Sequence, residues 1–432
     1  MPPTIPYFRV SLSILIICLL LFAAACQKSG SPSTNGGQGG SDTSKTTTTL
    51  DPGDTAIVYV AGSSGDTVYC WRNGALSRLS SPPDMPLPGN YVYAGFAYTS
   101  GIALSDTDVY ISGGLLTIDT SIDAQGYTAA YWKNGVPTTL QDSAPAARSY
   151  GIAVSGGNVL VAGTESYNEP HMFVPYSGSA PFMSYTKYGA IAMSWANGTQ
   201  SYVSSPYAYS YDENDTGETI LPDYVSGIAV SGSDIYLAGG VTSFSVGLSS
   251  SMHFTGYWKN GVFVDLPNKF TGTIPTDSTG YFAPKVNAIA VSGSDVYACG
   301  TEITELGETG DIYNLIYRAT AWNNGVITYL GATSDYSQAY GVYVSGSDVY
   351  VAGVLAPGGS NSHAVYWKNG TAVAVDNTVG SSAQSIFVAG NNIYVAGYSG
   401  GQTVYWRNGK AYSLNKSLRT LSGIVARYPS VQ

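Results

Sequence analysis

Every tryptophan in this 432-residue chain sits in one recurring hexapeptide. Trp71 lies in "YCWRNG", Trp132 in "AYWKNG", Trp195 in "MSWANG" and Trp258 in "GYWKNG". Trp322 follows in "TAWNNG", Trp367 in "VYWKNG" and Trp406 in "VYWRNG". Ahead of all but the first comes a second motif, clearest as "GVYVSGSDVYVAG" at 341–353, with relatives at 101–113, 151–163, 227–239, 288–300 and 385–397. A chain that places all its indoles at one repeated position buries them by repeating one packing unit, so this repeat limits the fold more than any other feature.

One unit reads as four strands. "GIAV" alternates and breaks at Ser-Gly-Ser-Asp, a tight turn, and "VYVAG" alternates back to a Gly. After a gap of variable length, "AVYWKNG" is a third strand closing on Asn-Gly, the strongest short hairpin signal because both turn residues must take positive φ. A short fourth strand follows, as in "VFVDL" at 262–266. Adjacent Tyr and Trp side chains point to opposite faces of their strand, so each can fill the space between neighbouring sheets. Tryptophan spacings of 61, 63, 63, 64, 45 and 39 residues therefore predict an all-β fold, a seven-bladed β-propeller of four-stranded antiparallel blades. The longer early spacings leave too little sequence for another blade.

The two ends predict how the ring closes. The first unit begins at "AIVYVAG" (56–62), which is second-strand sequence, and "SGIVA" (422–426) is first-strand sequence without its sequel. One blade is expected to join a C-terminal innermost strand to three N-terminal strands, which removes the exposed edges. The propeller then spans 55–427, with a C-terminal tail at 428–432.

The unit resembles the repeats of secreted bacterial propellers called HAF-family extracellular repeats, with their A-x-x-x-W-x-x-G third strand. It resembles more closely the "YWKNG … SGxDVYVAG" repeat lipoproteins of Gram-negative bacteria, over residues 56–426. The resemblance implies a propeller and an envelope location, and no defined activity.

Residues 1–25 read as a lipoprotein signal peptide. "SILIICLLLFAAAC" follows a lone cation, Arg9, and is too short to span a bilayer comfortably. Ala23-Ala24-Ala25-Cys26 resembles the lipobox of bacterial lipoproteins, although the usual leucine is Ala23 here; the resemblance implies lipid attachment at Cys26. Residues 26–54 are expected to form a disordered Ser/Thr/Gly-rich tether, spanning on the order of 30 Å as a random coil. The expected address is the cell envelope, lipid-anchored, at the outer membrane. Gln27 after the Cys, rather than Asp, is compatible with that membrane.

The formal net charge is −10, and a strongly acidic chain argues against nucleic acid as a partner. Cys70 and Cys299 replace a Tyr or an Ala of the repeat, and read as buried fillers rather than a bridge.

Blade geometry sorts the loops. The first and third turns of a blade share one face and are minimal here; the insertions at 164–189, 204–225 and 301–318 all fall on the other, where binding is expected. Two groups of candidate ligand-binding residues lie there. Tyr207, Tyr209, Tyr211 and Asp212, with Glu213 and Asp215, join aromatic faces to carboxylates, a combination suited to sugars or basic peptides; the plain alternative is a solvated acidic loop. The second group is the residue three before each first strand: Tyr98, Arg148, Tyr224, Lys285, Gln338, Ser382 and Thr420. These should ring the channel mouth, with Arg148 and Lys285 making a polar funnel for a small anionic group such as an acidic sugar. The alternative is rim residues facing water.

No catalytic residue, metal or cofactor is expected. His171, His253 and His363 fall in inter-strand loops without partners at metal spacing, and no nucleophile or nucleotide-loop motif occurs. Asp108, Asp234, Asp295 and Asp348 read as turn formers, since Asn158 and Asn392 fill the same position. The expected function is a monomeric binding module, anchored to a membrane, for a glycan or an envelope protein. The alternatives are a glycan-active lyase or glycosidase with its site in the funnel, and a structural or adhesive surface protein.

Overall fold

The computed structural model describes residues 55–65, 67–79, 91–119, 124–140, 147–172, 184–202, 218–245, 251–268, 285–305, 316–414 and 418–429. Residues 1–54, and with them Cys26, lie outside the described residues, as do Tyr207, Tyr209, Tyr211, Asp212, Glu213 and Asp215. The described residues form seven four-stranded sheets. We number the blades along the chain and letter the strands A to D outward from the channel. Blade 1 combines Thr420–Arg427 as strand A with Ile57–Ser64, Thr67–Arg72 and Ala75–Arg78. Blades 2 to 7 occupy 91–139, 147–202, 218–265, 285–329, 336–376 and 382–413. Closure follows the expected plan, with Ile424 opposite Val60 and Ala426 opposite Val58.

The Tyr-Trp pair explains how the blades hold together. Each Trp packs against strand B or C of the preceding blade: Trp132 with Tyr59 and Ala61, Trp195 with Tyr110 and Ala129, Trp258 with Ala162. Trp322 meets Tyr236, Trp367 meets Cys299, and Trp406 meets Tyr350. Trp71 packs with Tyr394 and Ala396 of blade 7 and so completes the circle. The adjacent Tyr turns the other way, toward the following blade, as Tyr131, Tyr257, Tyr366 and Tyr405 do. Burying one indole at each junction stabilises it by on the order of 4–6 kcal/mol as an upper bound from area alone.

The Asn-Gly turns carry more than a sharp bend. Asn134 and Gly135 take φ of 51° and 86°, both positive as a type I′ hairpin requires. Asn134 Oδ1 then accepts the N–H of Val109 at 2.9 Å, and its Nδ2 donates to Asp108 Oδ1 at 2.7 Å. Lys133 pairs with the other oxygen of Asp108 at 2.8 Å, and Tyr110 OH donates to it. Blades 4 and 6 repeat the cluster with Asp234, Lys259 and Asn260, and with Asp348, Lys368 and Asn369. The aspartates are thus more than turn formers: each ties the start of strand B to the tip of the C–D hairpin. Blade 3 keeps the geometry without charge, through Asn158 and Asn197.

Lys133, the neighbouring Asn260 and Lys368 are the foremost causes that hold Asp108, Asp234 and Asp348 below the usual carboxylate range. A carboxylate depressed on folding stabilises above its unfolded pKa, and that contribution fades as pH falls through the folded value. Lys133, pushed up to about 12 by Asp108, contributes below the ordinary lysine range and loses this as pH rises through the folded value. Stability is therefore expected to be flat through neutral pH and to fall in acid. Thermal midpoints of the triple variant Asp108→Asn, Asp234→Asn, Asp348→Asn should show a shallower acid limb; an unchanged limb would place the acid sensitivity elsewhere.

The insertions differ from the loops expected. Over its described part, 164–189 continues two strands, Asn158–Met172 and Ser184–Ala196, which pair as far as Met172 opposite Ser184. Glu218 likewise pairs with Ser245, Tyr91 with Asp119, and Glu305 with Ile316. Pairing across a hairpin satisfies the backbone groups that a long loop would leave to water. Strand B is 12, 15, 12 and 11 residues long in blades 2 to 5, against 9, 8 and 8 in blades 6, 7 and 1. Blades 2 to 5 therefore carry the longer ribbons. The histidines are also in strands: His171 in Asn158–Met172, His253 in Ser251–Lys259 and His363 in His363–Lys368.

Candidate functional site

A β-bulge recurs at the same place in strand A of all seven blades. The residue just before the "GIAV"-type start has no partner in the ladder: Ser100, Tyr150, Ser226 and Asn287, then Tyr340, Gln384 and Ser422. An extra residue on one strand bends it and re-aims side chains. Strand B answers with glycine. A Cβ on Gly353 would stand 2.1 Å from the Gln338 carbonyl oxygen and 2.7 Å from Trp367 Cζ3, and Gly163 faces Arg148 and Trp195 in the same way. The Gly of "VYVAG" thus marks where the bulge presses on its own sheet.

The bulges surround a cavity of about 560 Å³ at the channel mouth. Six of the seven bulge residues line it, all but Gln384. The remaining wall comes from Tyr98, Thr99 and Tyr127 of blade 2, Arg148 and Ser149 of blade 3, and Leu421. Their polar groups also stitch neighbouring blades. Ser100 Oγ lies 2.9 Å from Ser149 Oγ, which donates to Gly113 O at 2.7 Å. Ser422 Oγ donates to Thr99 Oγ1 at 2.7 Å, and Asn287 Nδ2 to Ala339 O at 2.7 Å.

One wall is aromatic and cationic. The Arg148 guanidinium lies 4.2 Å from the centroid of the Tyr127 ring, and Tyr98 meets that ring edge-on at 5.6 Å. Tyr98 OH accepts the Ser149 N–H at 3.1 Å. Enclosure among protein atoms raises its phenol pKa, and burial pushes Tyr340 up to about 12, so both remain neutral donors at physiological pH. Arg148 is the one charged side chain among the described lining residues.

The structure separates the residues that the repeat grouped together. Tyr98 and Arg148 line the cavity; Tyr224, Lys285 and Gln338 are not among its lining residues. Tyr224 OH instead accepts the Val286 N–H of the next blade at 3.0 Å, as Tyr98 does for Ser149. Lys285 is exposed, and Gln338 accepts a hydrogen bond from Tyr340 OH. Ser382 accepts from Gln384, and Thr420 is bonded to Ser63 of strand B. Sequence reasoning missed the position one residue before each first strand. Its signal is legible in retrospect, since Ser, Tyr, Ser, Asn, Tyr, Gln and Ser all carry a polar atom. Tyr127 carries no such signal, because it lies outside the repeat.

Among the described residues no three His, Cys, Asp or Glu side chains come together to hold a metal ion. Cys70 and Cys299 are free thiols, and burial pushes Cys70 up to about 11 and Cys299 higher. Cys299 is fully enclosed at the junction of blades 5 and 6, so neither geometry nor ionisation suits it to nucleophilic work.

A ring of seven four-stranded blades around a lined channel defines a seven-bladed β-propeller. No family model and no curated protein sequence matches the chain. Several solved structures align with the chain. The β-propeller domain of the trilobed protease from Pyrococcus furiosus aligns at 9% identity and a TM-score of 0.38, over 74% of this chain and 86% of that one. AztD from Citrobacter koseri aligns at 12% identity and a TM-score of 0.30, over 87% of this chain and 99% of that one. A prolyl endopeptidase aligns at 11% identity and a TM-score of 0.36, over 84% of this chain and 48% of that one.

Proposed function

We propose that this propeller is a lipid-anchored cell-envelope module that binds a glycan at the mouth of its channel. The carrying observation is the cavity of about 560 Å³ and its lining: four tyrosines, five Ser/Thr hydroxyls and one amide, with no described carboxylate, imidazole or thiol. The volume lies within the ~300–1,000 Å³ usual for ligand pockets. Tyrosine rings offer flat faces for sugar rings, and hydroxyls and an amide match their hydroxyl groups. Acid–base chemistry on a glycosidic bond asks for paired carboxylates, and none is among the described lining residues. Rigid blades hold the wall in place, so little order is lost on binding. Cys26 carries the anchor in this reading, and residues 26–54 hold the ring off the bilayer.

The full chain, purified in mild detergent, should bind a subset of an oligosaccharide array. Tyr150→Ala and Tyr340→Ala should each weaken the selected oligosaccharide by about tenfold or more, the scale of a lost aromatic anchor. Absence of binding across the array, or full affinity in both variants, would reject the site. Release of shortened products from a bound oligosaccharide would make it an enzyme instead.

A further inference from the structure

We infer that the sugar taken at the channel mouth carries an oxyanion, either a uronate carboxylate or a sulfate, and that Arg148 alone recognises it. The inference rests on the reading of the mouth as a glycan site and narrows it to acidic saccharides.

Three observations carry it. First, the three lysines of the YWKNG repeats are paired: Lys133, Lys259 and Lys368 each hold an aspartate within 2.9 Å. Arg318, away from the cavity, is pinned by two bonds to Gly331 O. Arg148 has no ion pair or hydrogen bond among the described residues, in a chain with a net charge of −10. Second, its guanidinium is held against Tyr127 at 4.2 Å. A guanidinium resting on an aromatic ring still has N–H donors for a planar or tetrahedral oxyanion, a task in which Arg and Lys are not equivalent. Third, no described lining residue is a carboxylate that would neutralise Arg148 or repel such a ligand. On the neighbouring blade, Ser226 Oγ is a buried oxygen of the lining without a hydrogen-bond partner among the described residues. It is available to shift onto a ligand or a bridging water.

The inference also narrows the two-cation funnel expected from the repeat. Lys285 occupies the same repeat position as Arg148 but does not line the cavity, so it has no part in recognition.

Calorimetry on the full chain in detergent tests this with two matched pairs. One is an oligogalacturonate against its fully methyl-esterified form; the other is a sulfated galactan oligosaccharide against its unsulfated counterpart. In at least one pair the acidic member should bind ten times or more tighter than the neutral one, and the pair that responds identifies the oxyanion. Arg148→Gln should bring the acidic ligand down to neutral affinity. Arg148→Lys should retain part of the preference, and Lys285→Gln all of it. Equal binding within both pairs overturns the inference while leaving the glycan site standing. A preference that survives Arg148→Gln, or disappears in Lys285→Gln, also overturns it. Failure of every saccharide to bind defeats the glycan reading itself, and this inference with it.

Discussion

Removing residues 418–432 is expected to abolish the cooperative fold of the whole ring, because one blade takes its innermost strand from that segment. Leu418, Ile424 and Val425 are 2%, 2% and 5% exposed, so the cut removes three buried aliphatic side chains from the core. At roughly 1.5–3 kcal/mol each, they account for on the order of 5–9 kcal/mol, against the ~5–15 kcal/mol that separates most folded domains from their unfolded state. Backbone losses add to this. Seven pairings with Ile57–Ser64 vanish, as does the bond from Leu421 N–H to Tyr398 OH that joins blade 7 to blade 1. Two apolar clusters open together, because Ile424 belongs to the blade 7–1 junction and Val425 to the blade 1–2 junction. Circular dichroism melts and limited proteolysis provide the check, and a synthetic peptide of residues 418–429 should partly restore protease resistance. A truncated chain melting within a few degrees of the intact one would disprove closure by the C-terminal strand.

Trp367→Ala should destabilise by about 3–5 kcal/mol, the range for emptying a fully buried large aromatic site. Its indole lies between blades 5 and 6, against Cys299 and Val351, and a vacancy there weakens a junction that the rigid blades cannot collapse to fill. Trp367→Phe should cost less, since Trp367 Nε1 has no hydrogen-bond partner among the described residues. Gly353→Ala should cost about 1–3 kcal/mol through overpacking, its new methyl meeting both the bulge carbonyl and the indole edge. In the double variant Trp367→Ala, Gly353→Ala the two costs should fall short of additivity, because removing the indole relieves part of the clash. Urea midpoints with unchanged slopes measure all four variants. A cost below ~1 kcal/mol for Trp367→Ala would mean that the junctions are not held by their indoles.

Much of this architecture was legible before any coordinates. The blade count comes from seven copies of one hexapeptide, and the closing strand from "SGIVA" lacking its sequel at one end while "AIVYVAG" lacks its forerunner at the other. Both are local patterns, and hairpin chemistry turns local pattern into strand pairing without help from distant residues. The role of the repeated aspartates was half legible. Their turn position is a matter of neighbours in sequence, but Asp108 meets Lys133 and Asn134 across a hairpin whose connection varies in length.

The channel wall was a different matter. Counting back three residues from the strand start puts Tyr98, Arg148, Tyr224, Lys285 and Gln338 at one repeat position. A bulge one residue before the strand start breaks the alternation of strand A, and side chains on either side of it change face. Arg148 and Tyr98 came to the cavity all the same, Tyr224 became a clasp between blades, and Lys285 stayed outside. Tyr127 joined from an insertion that carries no repeat signal. By itself, then, the amino-acid order determined the number of blades, the packing of their indoles and the way the circle closes, since each depends on short-range periodicity. Only the tertiary structure decided which side chains share the cavity, because that depends on a kink in the inner strand, and on ribbons from separate blades meeting across a space that sequence distance does not measure.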